Sequence, residues 1–298
     1  MVNQISDGAT AGDLPGFSPG LYLVATPIGT ARDITLRALD ILRGADVIAA
    51  EDTRSLRRLL EIHGVALAGR PLVAYHDHSG PKVRARLLQA MAEGKSVAYA
   101  PEAGTAMVSD PGYHLARAAR AEGFALHSAP GPSAAVTALT LSGLPTDRFL
   151  FAGFLPTTAA KRKTAFSELA SVPATLVFYE SPHRIAACVA DAAAVLGGDR
   201  QAAICRELTK KFEEVLTGTL EELAAVTADR RLKGEIVFLV EKGDSSSKIS
   251  EDDVDSVLRA ALETVSVRDA ADKVAAQTGL KRRVIYQRAL ELSRETEE

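Results

Sequence analysis

Short apolar runs recur along the chain, and each is followed by a polar loop and then by apolar residues at helical spacing. Leu21-Tyr22-Leu23-Val24-Ala25, Asp46-Val47-Ile48-Ala49-Ala50, Leu72-Val73-Ala74-Tyr75, Ser96-Val97-Ala98-Tyr99-Ala100 and Phe124-Ala125-Leu126-His127 read as strands. Between them Leu36, Leu39 and Leu42 share one helical face, as do Leu56, Leu59 and Leu60, and then Val83, Leu87, Leu88 and Met91. Gly64 and Gly94 stand where helices end. Strands that alternate with helices return to one sheet by crossovers, so the pattern predicts an α/β fold with a largely parallel sheet.

A second series begins near Arg148. Phe149–Phe154, Ala174–Tyr179, Ala202–Cys205 and Ile236–Val240 read as strands, with Val215–Thr219 as a further one; helices are expected around Lys161–Ala170 and Ile185–Leu196. The helix opened by Ser133 joins the two halves, and Leu144-Pro145-Thr146-Asp147 marks their boundary. The polar run Gly243-Asp244-Ser245-Ser246-Ser247-Lys248 reads as a linker. Past it Val254, Val257, Leu258, Ala261 and Leu262 share a face, and Ser266 with Asp269 resembles a capping box. Two helices around Gly279 fit a helix-turn-helix-like module. The expected organisation is a disordered tail over 1–19, α/β domains over 20–145 and 146–243, a linker over 244–249 and a helical module over 250–298.

Several strand-end loops are richer than a turn requires. Pro101-Glu102-Ala103-Gly104-Thr105-Ala106-Met107-Val108-Ser109-Asp110-Pro111-Gly112-Tyr113 gathers carboxylates, hydroxyls and glycines. Thr26-Pro27-Ile28-Gly29, Pro130-Gly131-Pro132-Ser133 and Glu180-Ser181-Pro182-His183-Arg184 occupy equivalent places. Ligands of open α/β sheets sit where such loops converge, so these point to one composite pocket. The first loop is not G-x-G-x-x-G and there is no P-loop lysine motif, which argues against a dinucleotide or ATP site. Without G-x-S-x-G there is no nucleophile elbow either.

Taken together, these loops with Asp33-Ile34-Thr35, Ala50-Glu51-Asp52-Thr53-Arg54, Gly143–Phe149, Phe178–Arg184 and Arg206-Glu207-Leu208-Thr209-Lys210-Lys211 resemble the ribosomal RNA small subunit methyltransferase I family, from about residue 20 to 243. The resemblance implies the tetrapyrrole-methylase arrangement: two α/β domains with S-adenosylmethionine between them. It also implies a homodimer and, as substrate, the ribose 2′-hydroxyl of a cytidine in the decoding region of 16S rRNA, within the 30S subunit. Cofactor contacts implied by it are Thr26, Pro27, Ile28 and Gly29, then Glu102, Gly104, Thr105 and Ala106, then Ser133 and Ala134, and finally Tyr179, Arg206 and Gly234. The chain departs from the family's pattern at Pro101-Glu102, Ala106, Thr30 and Ala152. The alternatives are a tetrapyrrole C-methyltransferase of the same fold and a nucleic-acid-binding regulator acting through its helical module.

Methyl transfer to a ribose hydroxyl is an in-line displacement, in which alignment alone can supply ~7–11 kcal/mol of the barrier. The hydroxyl is a weak nucleophile, so a base or a stabilising cation is called for. Glu180 and His183 in one strand-end loop, and Glu207 and Lys210 in another, are the catalytic candidates; substrate positioning and loop-holding hydrogen bonds are the competing roles for the first pair. Asp33, His76 and Asp110 are candidates for the substrate side. Lys161, Arg162 and Lys163, and Lys281, Arg282 and Arg283, are candidate RNA-phosphate contacts, against the alternative of solvated charge runs. Tyr286 either stacks on a base or packs.

The net charge of -3 gives no global basic field, so any RNA contact must come from a local patch. His76 and His78 flank Asp77, but no further Cys or His cluster has ligand spacing, and no metal is expected. Cys188 and Cys205 lie in apolar patterns and read as buried, reduced thiols. No run approaches the ~20 apolar residues that cross a bilayer, and the first 19 residues lack the pattern of a signal peptide; a cytoplasmic protein with no membrane partner is expected.

Overall fold

The computed structural model describes residues 16–76, 79–107, 112–243, 251–278 and 282–295. The first half is a five-stranded sheet of β1 (Gly20–Val24), β2 (Val47–Ala50), β3 (Leu72–Ala74), β4 (Ser96–Ala100) and β5 (Leu126–Ala129), in the order β3-β2-β4-β1-β5. Every pairing in it is parallel. Helices α1 (Leu36–Gly44) and α2 (Thr53–Ile62) cover one face, where Leu39, Leu42, Leu56 and Leu60 meet Val24, Ile48 and Ala98. Helices α3 (Pro81–Ala92) and α4 (Gly112–Ala121) cover the other, where Leu87, Met91 and Leu115 meet Leu21, Val97 and Tyr99. After β1 the chain steps to one side of the sheet, and after β4 it steps to the other. The carboxyl ends of β1 and β4 therefore form the topological switch point, where a crevice opens.

The second sheet, β6 (Phe149–Phe154), β7 (Thr175–Glu180), β8 (Gln201–Arg206), β9 (Glu214–Thr219) and β10 (Ile236–Val240), runs β6-β7-β10-β8-β9. The largely parallel sheet expected from the first series is borne out there, whereas the second sheet is mixed: β6 and β7 are parallel across α6 (Ala159–Leu169), and the other three pairings are antiparallel. The reason is local. Residues 207–213 carry no apolar helical period, so β8 cannot cross over and folds back as a hairpin, pairing Arg206 with Glu214. Helix α7 (Ile185–Leu196) and helix α8 (Leu220–Asp229) pack outside, over Phe166, Phe178 and Phe238. Phe178 meets Phe166 edge-on at 5.6 Å and Phe238 at 6.0 Å, each contact adding about 0.5–1.5 kcal/mol to simple burial.

Helix α5 (Ala134–Ser142) precedes the boundary expected at 145/146, yet Ala135, Ala138 and Leu139 bury against Val177, Ala203, Cys205 and Val237 of the second sheet. Ile28 from the first half and Leu208 from the second enter the same cluster, which forms the seam between the halves. Cys188 and Cys205 are buried free thiols, as expected. Burial pushes both upward, Cys205 to about 12, so neither is a nucleophile at neutral pH.

The helical module comprises α9 (Glu251–Leu262), α10 (Val267–Thr278) and α11 (Arg282–Glu295), closed on Leu258, Ala271, Val274, Ile285 and Leu292. The Ser266 hydroxyl donates to Asp269 Oδ2 at 2.7 Å and accepts the Asp269 amide at 3.2 Å, the second bond being the N-cap half of the box read from the sequence. The stretches 1–15 and 244–250, which hold most of the expected tail and the linker, lie outside the described residues. No described helix is long and apolar enough to cross a membrane.

Candidate active site

The crevice at the switch point is closed by the second half into a cleft of about 320 Å³, a size suited to a small-molecule ligand. The first half contributes Ile28 and the 103–105 backbone; α5 contributes Ser133 and Ala134 at its start. From the second half come Phe154, Tyr179, Glu180, Ser181, Pro182, Leu208 and the 234–237 segment. Of the expected cofactor contacts the cleft thus gathers Ile28, Gly104, Thr105, Ser133, Ala134, Tyr179 and Gly234.

Other members of that set support the lining. Thr26 and Gly104 exchange backbone hydrogen bonds of 2.9 and 3.0 Å, and the buried Thr26 hydroxyl donates to the Pro101 carbonyl at 3.2 Å. Those contacts hold the two switch-point loops together. Gly104 has φ +79, a conformation that glycine adopts without strain, and Thr105 Oγ1 donates to the Pro132 carbonyl at 2.9 Å. Pro27 and Gly29 flank Ile28 outside the lining; a Cβ on Gly29 would meet Thr209 Oγ1 at 2.5 Å and Lys210 Cγ at 2.6 Å. Gly29 therefore serves close approach between the halves.

Two of the expected cofactor contacts, Ala106 and Arg206, stand outside the cleft lining. Ala106 is turned into the first-half core with Leu115 and Tyr99 rather than into the cleft, because it is the small apolar residue that closes that cluster. Arg206 is held in its hairpin, donating to Glu214 Oε2 and to the Lys233 carbonyl, each at 3.1 Å. Glu102 is exposed beside the lining, and its amide donates to Glu51 Oε2 at 2.9 Å.

The four catalytic candidates separate by their partners. Glu180 is buried at the cleft, and both its oxygens are engaged: Oε1 accepts the Ser181 amide at 2.7 Å and Oε2 accepts Arg184 Nη2 at 3.1 Å. Arg184 Nη2 also donates to the Leu155 and Pro156 carbonyls, at 2.7 and 3.1 Å, so this ion pair fixes one wall to the next. Glu207 Oε1 accepts the Glu235 amide and Lys210 Nζ, both at 3.0 Å, and Lys210 Nζ reaches Glu235 Oε2 at 2.8 Å. The Glu235 amide and Lys210 hold the Glu207 carboxyl below the usual carboxylate range. Desolvation opposes the Lys210 charge, but its two carboxylate partners outweigh that and hold its ammonium above its ordinary value. Glu207 and Lys210 thus fasten the loop after β8 to the cleft-lining 234–235 segment; the charge that suggested catalysis is spent on positioning. His183 differs. It is exposed, directly follows the lining residues Ser181 and Pro182, and its ring has no hydrogen-bond partner among the described residues.

Tyr179 closes the cleft with Phe154, ring centres 5.6 Å apart. Burial raises its hydroxyl above the ordinary tyrosine value, offset in part by the Ala135 amide. Phe154 is 62% exposed at its strand end and lines the cleft, a ligand wall that the expected contacts omitted.

On the substrate side, Asp33 is exposed in the short turn after the Thr26 loop, and His76 is exposed after β3, its amide donating to Ser79 Oγ at 2.9 Å. Arg162 is corrected. Its side chain is 5% exposed and donates to Asp191 Oδ2 at 2.8 and 2.5 Å, so it ties α6 to α7 and cannot meet a phosphate; Lys161 and Lys163 beside it remain exposed. In the helical module Arg282 pairs with Asp272, Arg283 is exposed, and Tyr286 is 37% exposed. Asp110 and Lys281 lie outside the described residues, as do Asp77 and His78. Among the described residues no His, Cys, Asp or Glu cluster could hold a metal.

A parallel sheet with a switch-point crevice, roofed by a second, mostly antiparallel sheet, is the architecture of a methylase class. The family model for tetrapyrrole (corrin/porphyrin) methylases matches residues 20–224, and that for the RsmI C-terminal HTH domain matches 248–293. A solved uroporphyrin-III C-methyltransferase from Thermus thermophilus, complexed with S-adenosylhomocysteine, shares the fold with a TM-score of 0.52 and 21% identity, over 74% of this chain and 97% of that one. The chain belongs to the ribosomal RNA small subunit methyltransferase I family. The Mesorhizobium japonicum protein of that name is 48% identical over 92% of each chain, and that of Xylella fastidiosa is 43% identical over 90% of this chain and 98% of its own.

S-adenosylmethionine is the methyl donor of this class. The cleft residues fit it. Ser133 offers a hydroxyl at the start of α5, and Ile28, Phe154, Tyr179, Leu208 and Val237 offer apolar and aromatic surface for a nucleoside. When bound, the sulfonium supplies an activated methyl group.

Proposed function

We propose that this chain transfers a methyl group from S-adenosylmethionine to the ribose 2′-hydroxyl of cytidine 1402 in 16S rRNA, acting on the 30S subunit as a cytoplasmic homodimer. The observation that carries this reading is 48% identity, over 92% of both chains, to a protein named ribosomal RNA small subunit methyltransferase I. The matched C-terminal helical domain supports it, since a helix-turn-helix suits nucleic acid better than a tetrapyrrole. The chain's own contribution is positional. The Thr26–Gly104 bridge and the Glu180–Arg184 pair each brace one wall of the cleft, and Thr30 bonded to Thr209 holds the two walls together, which is what an in-line displacement needs. Of the catalytic candidates His183 is the one left to take the hydroxyl proton, because Glu180, Glu207 and Lys210 are committed internally.

The test is methyl transfer from labelled cofactor to 30S subunits isolated from a strain lacking the modification, with the labelled nucleotide mapped. Label on the ribose of that cytidine is expected. Label on a base or at another position, or on a tetrapyrrole in place of RNA, overturns the reading.

A further inference from the structure

A chain with a net charge of -3 carries two neighbouring helices whose cations meet no acid on their own elements. Helices α3 and α4 lie side by side on the same face of the first sheet. Their sequences, PKVRARLLQAMA and GYHLARAARA, contain no acid at all. Lys82, Arg84, Arg86, Arg117 and Arg120 form no ion pair among the described residues; Lys82, Arg86, Arg117 and Arg120 are exposed, and Arg84 is half-buried. On the opposite layer Arg43–Asp40, Arg54–Asp52 and Arg58–Glu61 are paired at 3.1, 3.2 and 2.7 Å, although Arg37 and Arg57 there form no ion pair among the described residues.

Folding does not account for this charge. Lys82 and Arg84 stand at the first turn of α3, where the helix dipole disfavours cations. Glu93 and Glu122 follow the helix C-termini, and Glu93 is already paired with Lys95 at 2.8 Å; Asp77 and Asp110, which precede the two helices in sequence, lie outside the described residues. Both helices begin at the carboxyl end of the sheet, so the cations of α3 lie toward the cleft. There α4 also exposes Tyr113, 48% accessible and packed edge-on against His114 at 5.5 Å. Cations leading to an aromatic pair beside a ligand cleft suit a polyanion whose bases can stack. A second copy of this chain does not fit, because a two-fold contact would set these like charges against themselves.

We propose that the α3–α4 layer is the RNA-backbone surface that delivers the substrate strand to the cleft. It takes the place of the Lys161–Lys163 run, whose central arginine is buried. This rests on the RNA-methyltransferase reading above and names the surface that reading requires.

The test compares the wild-type chain with the quadruple variant Lys82→Gln/Arg86→Gln/Arg117→Gln/Arg120→Gln, which spares half-buried Arg84. Binding of a 16S rRNA transcript and of 30S subunits is measured across a salt series, with cofactor affinity by calorimetry on the same samples. We expect RNA affinity at ~0.1 M salt to fall by about 100-fold or more, and the slope of log K against log salt to shrink by about one for each phosphate that is no longer neutralised. Cofactor affinity should stay within about twofold, which shows the variant folded. A variant slope equal to a steep wild-type slope overturns the surface and leaves the RNA reading standing. Loss of 30S binding with transcript binding intact also overturns it, in favour of a ribosomal-protein contact. A wild-type chain that binds no RNA overturns both.

Discussion

Thr30 and Thr209 clasp the two halves of the molecule: the Thr30 amide donates to Thr209 Oγ1 at 3.1 Å, and the Thr30 hydroxyl donates to the Thr209 carbonyl at 2.5 Å. Thr209 adopts φ +62, a left-handed conformation that costs a β-branched residue about 1–2 kcal/mol, so the clasp has to offset that strain. It sets Ile28 and Leu208 on the cleft together. Gly29→Ala puts a methyl within 2.9 Å of three atoms of the opposing loop. Overpacking of this kind costs about 1–3 kcal/mol, roughly 5- to 150-fold in cofactor affinity if it falls wholly on cleft closure. Calorimetric titration with S-adenosylmethionine reads this directly; unaltered affinity would show that the clasp does not shape the cleft.

Glu207 fastens the second clasp, and its titration has a definite sign. Its carboxyl is held below the ordinary range in the fold, so its stabilisation is present at neutral pH and is lost as pH falls through the ordinary carboxylate value toward the folded one. Glu207→Gln removes that contribution at every pH. Urea melts between about pH 6 and pH 3 should therefore show a shallower acid loss for the variant than for wild type, with the two curves converging at the acid end. Parallel curves would mean that the carboxylate contributes nothing to the fold.

The buried Arg162–Asp191 pair makes a stability prediction without a binding one. Asp191→Ala leaves a guanidinium 5% exposed and without its carboxylate, which should cost about 3–5 kcal/mol in denaturant melts. Affinity for RNA, per folded molecule, should be unchanged. A loss confined to RNA binding would return Arg162 to the surface role suggested by its neighbours Lys161 and Lys163.

Those neighbours illustrate where the sequence was legible. Strand and helix identity was open to reading wherever an apolar period was unbroken: Ser96–Ala100, Phe149–Phe154, Ile185–Leu196 and Ile236–Val240 fall where the pattern puts them. Helix α8 was missed although Thr219 and Glu222 spell its capping box, formed with bonds of 2.9 and 3.2 Å. Strand direction in the second sheet was not legible, because antiparallel return depends on what the 207–213 turn cannot do. For the site, the loops were recognisable from their glycines, prolines and hydroxyls. The partners of each charge were not. Glu207 finds Glu235 and Arg162 finds Asp191 only through tertiary packing, and that the cations of α3 and α4 stay without ion pairs is likewise visible only in the folded chain.

Of the four catalytic candidates His183 has the uncommitted side chain, and that decides how its removal should behave. His183→Ala deletes no hydrogen bond of the ring among the described residues, so melting temperature and cofactor affinity should hold. If the imidazole receives the ribose proton, kcat should fall by about 10²–10⁴ with KM for 30S subunits little changed. Glu180→Gln should behave differently. It weakens the ion pair to Arg184, which also reaches the Leu155 and Pro156 carbonyls, so cofactor affinity and stability should fall together with kcat. Single-turnover methylation with both variants separates the two cases. A His183→Ala enzyme at wild-type kcat would leave hydroxyl activation to alignment and solvent alone, with the cleft acting purely as a positioning device.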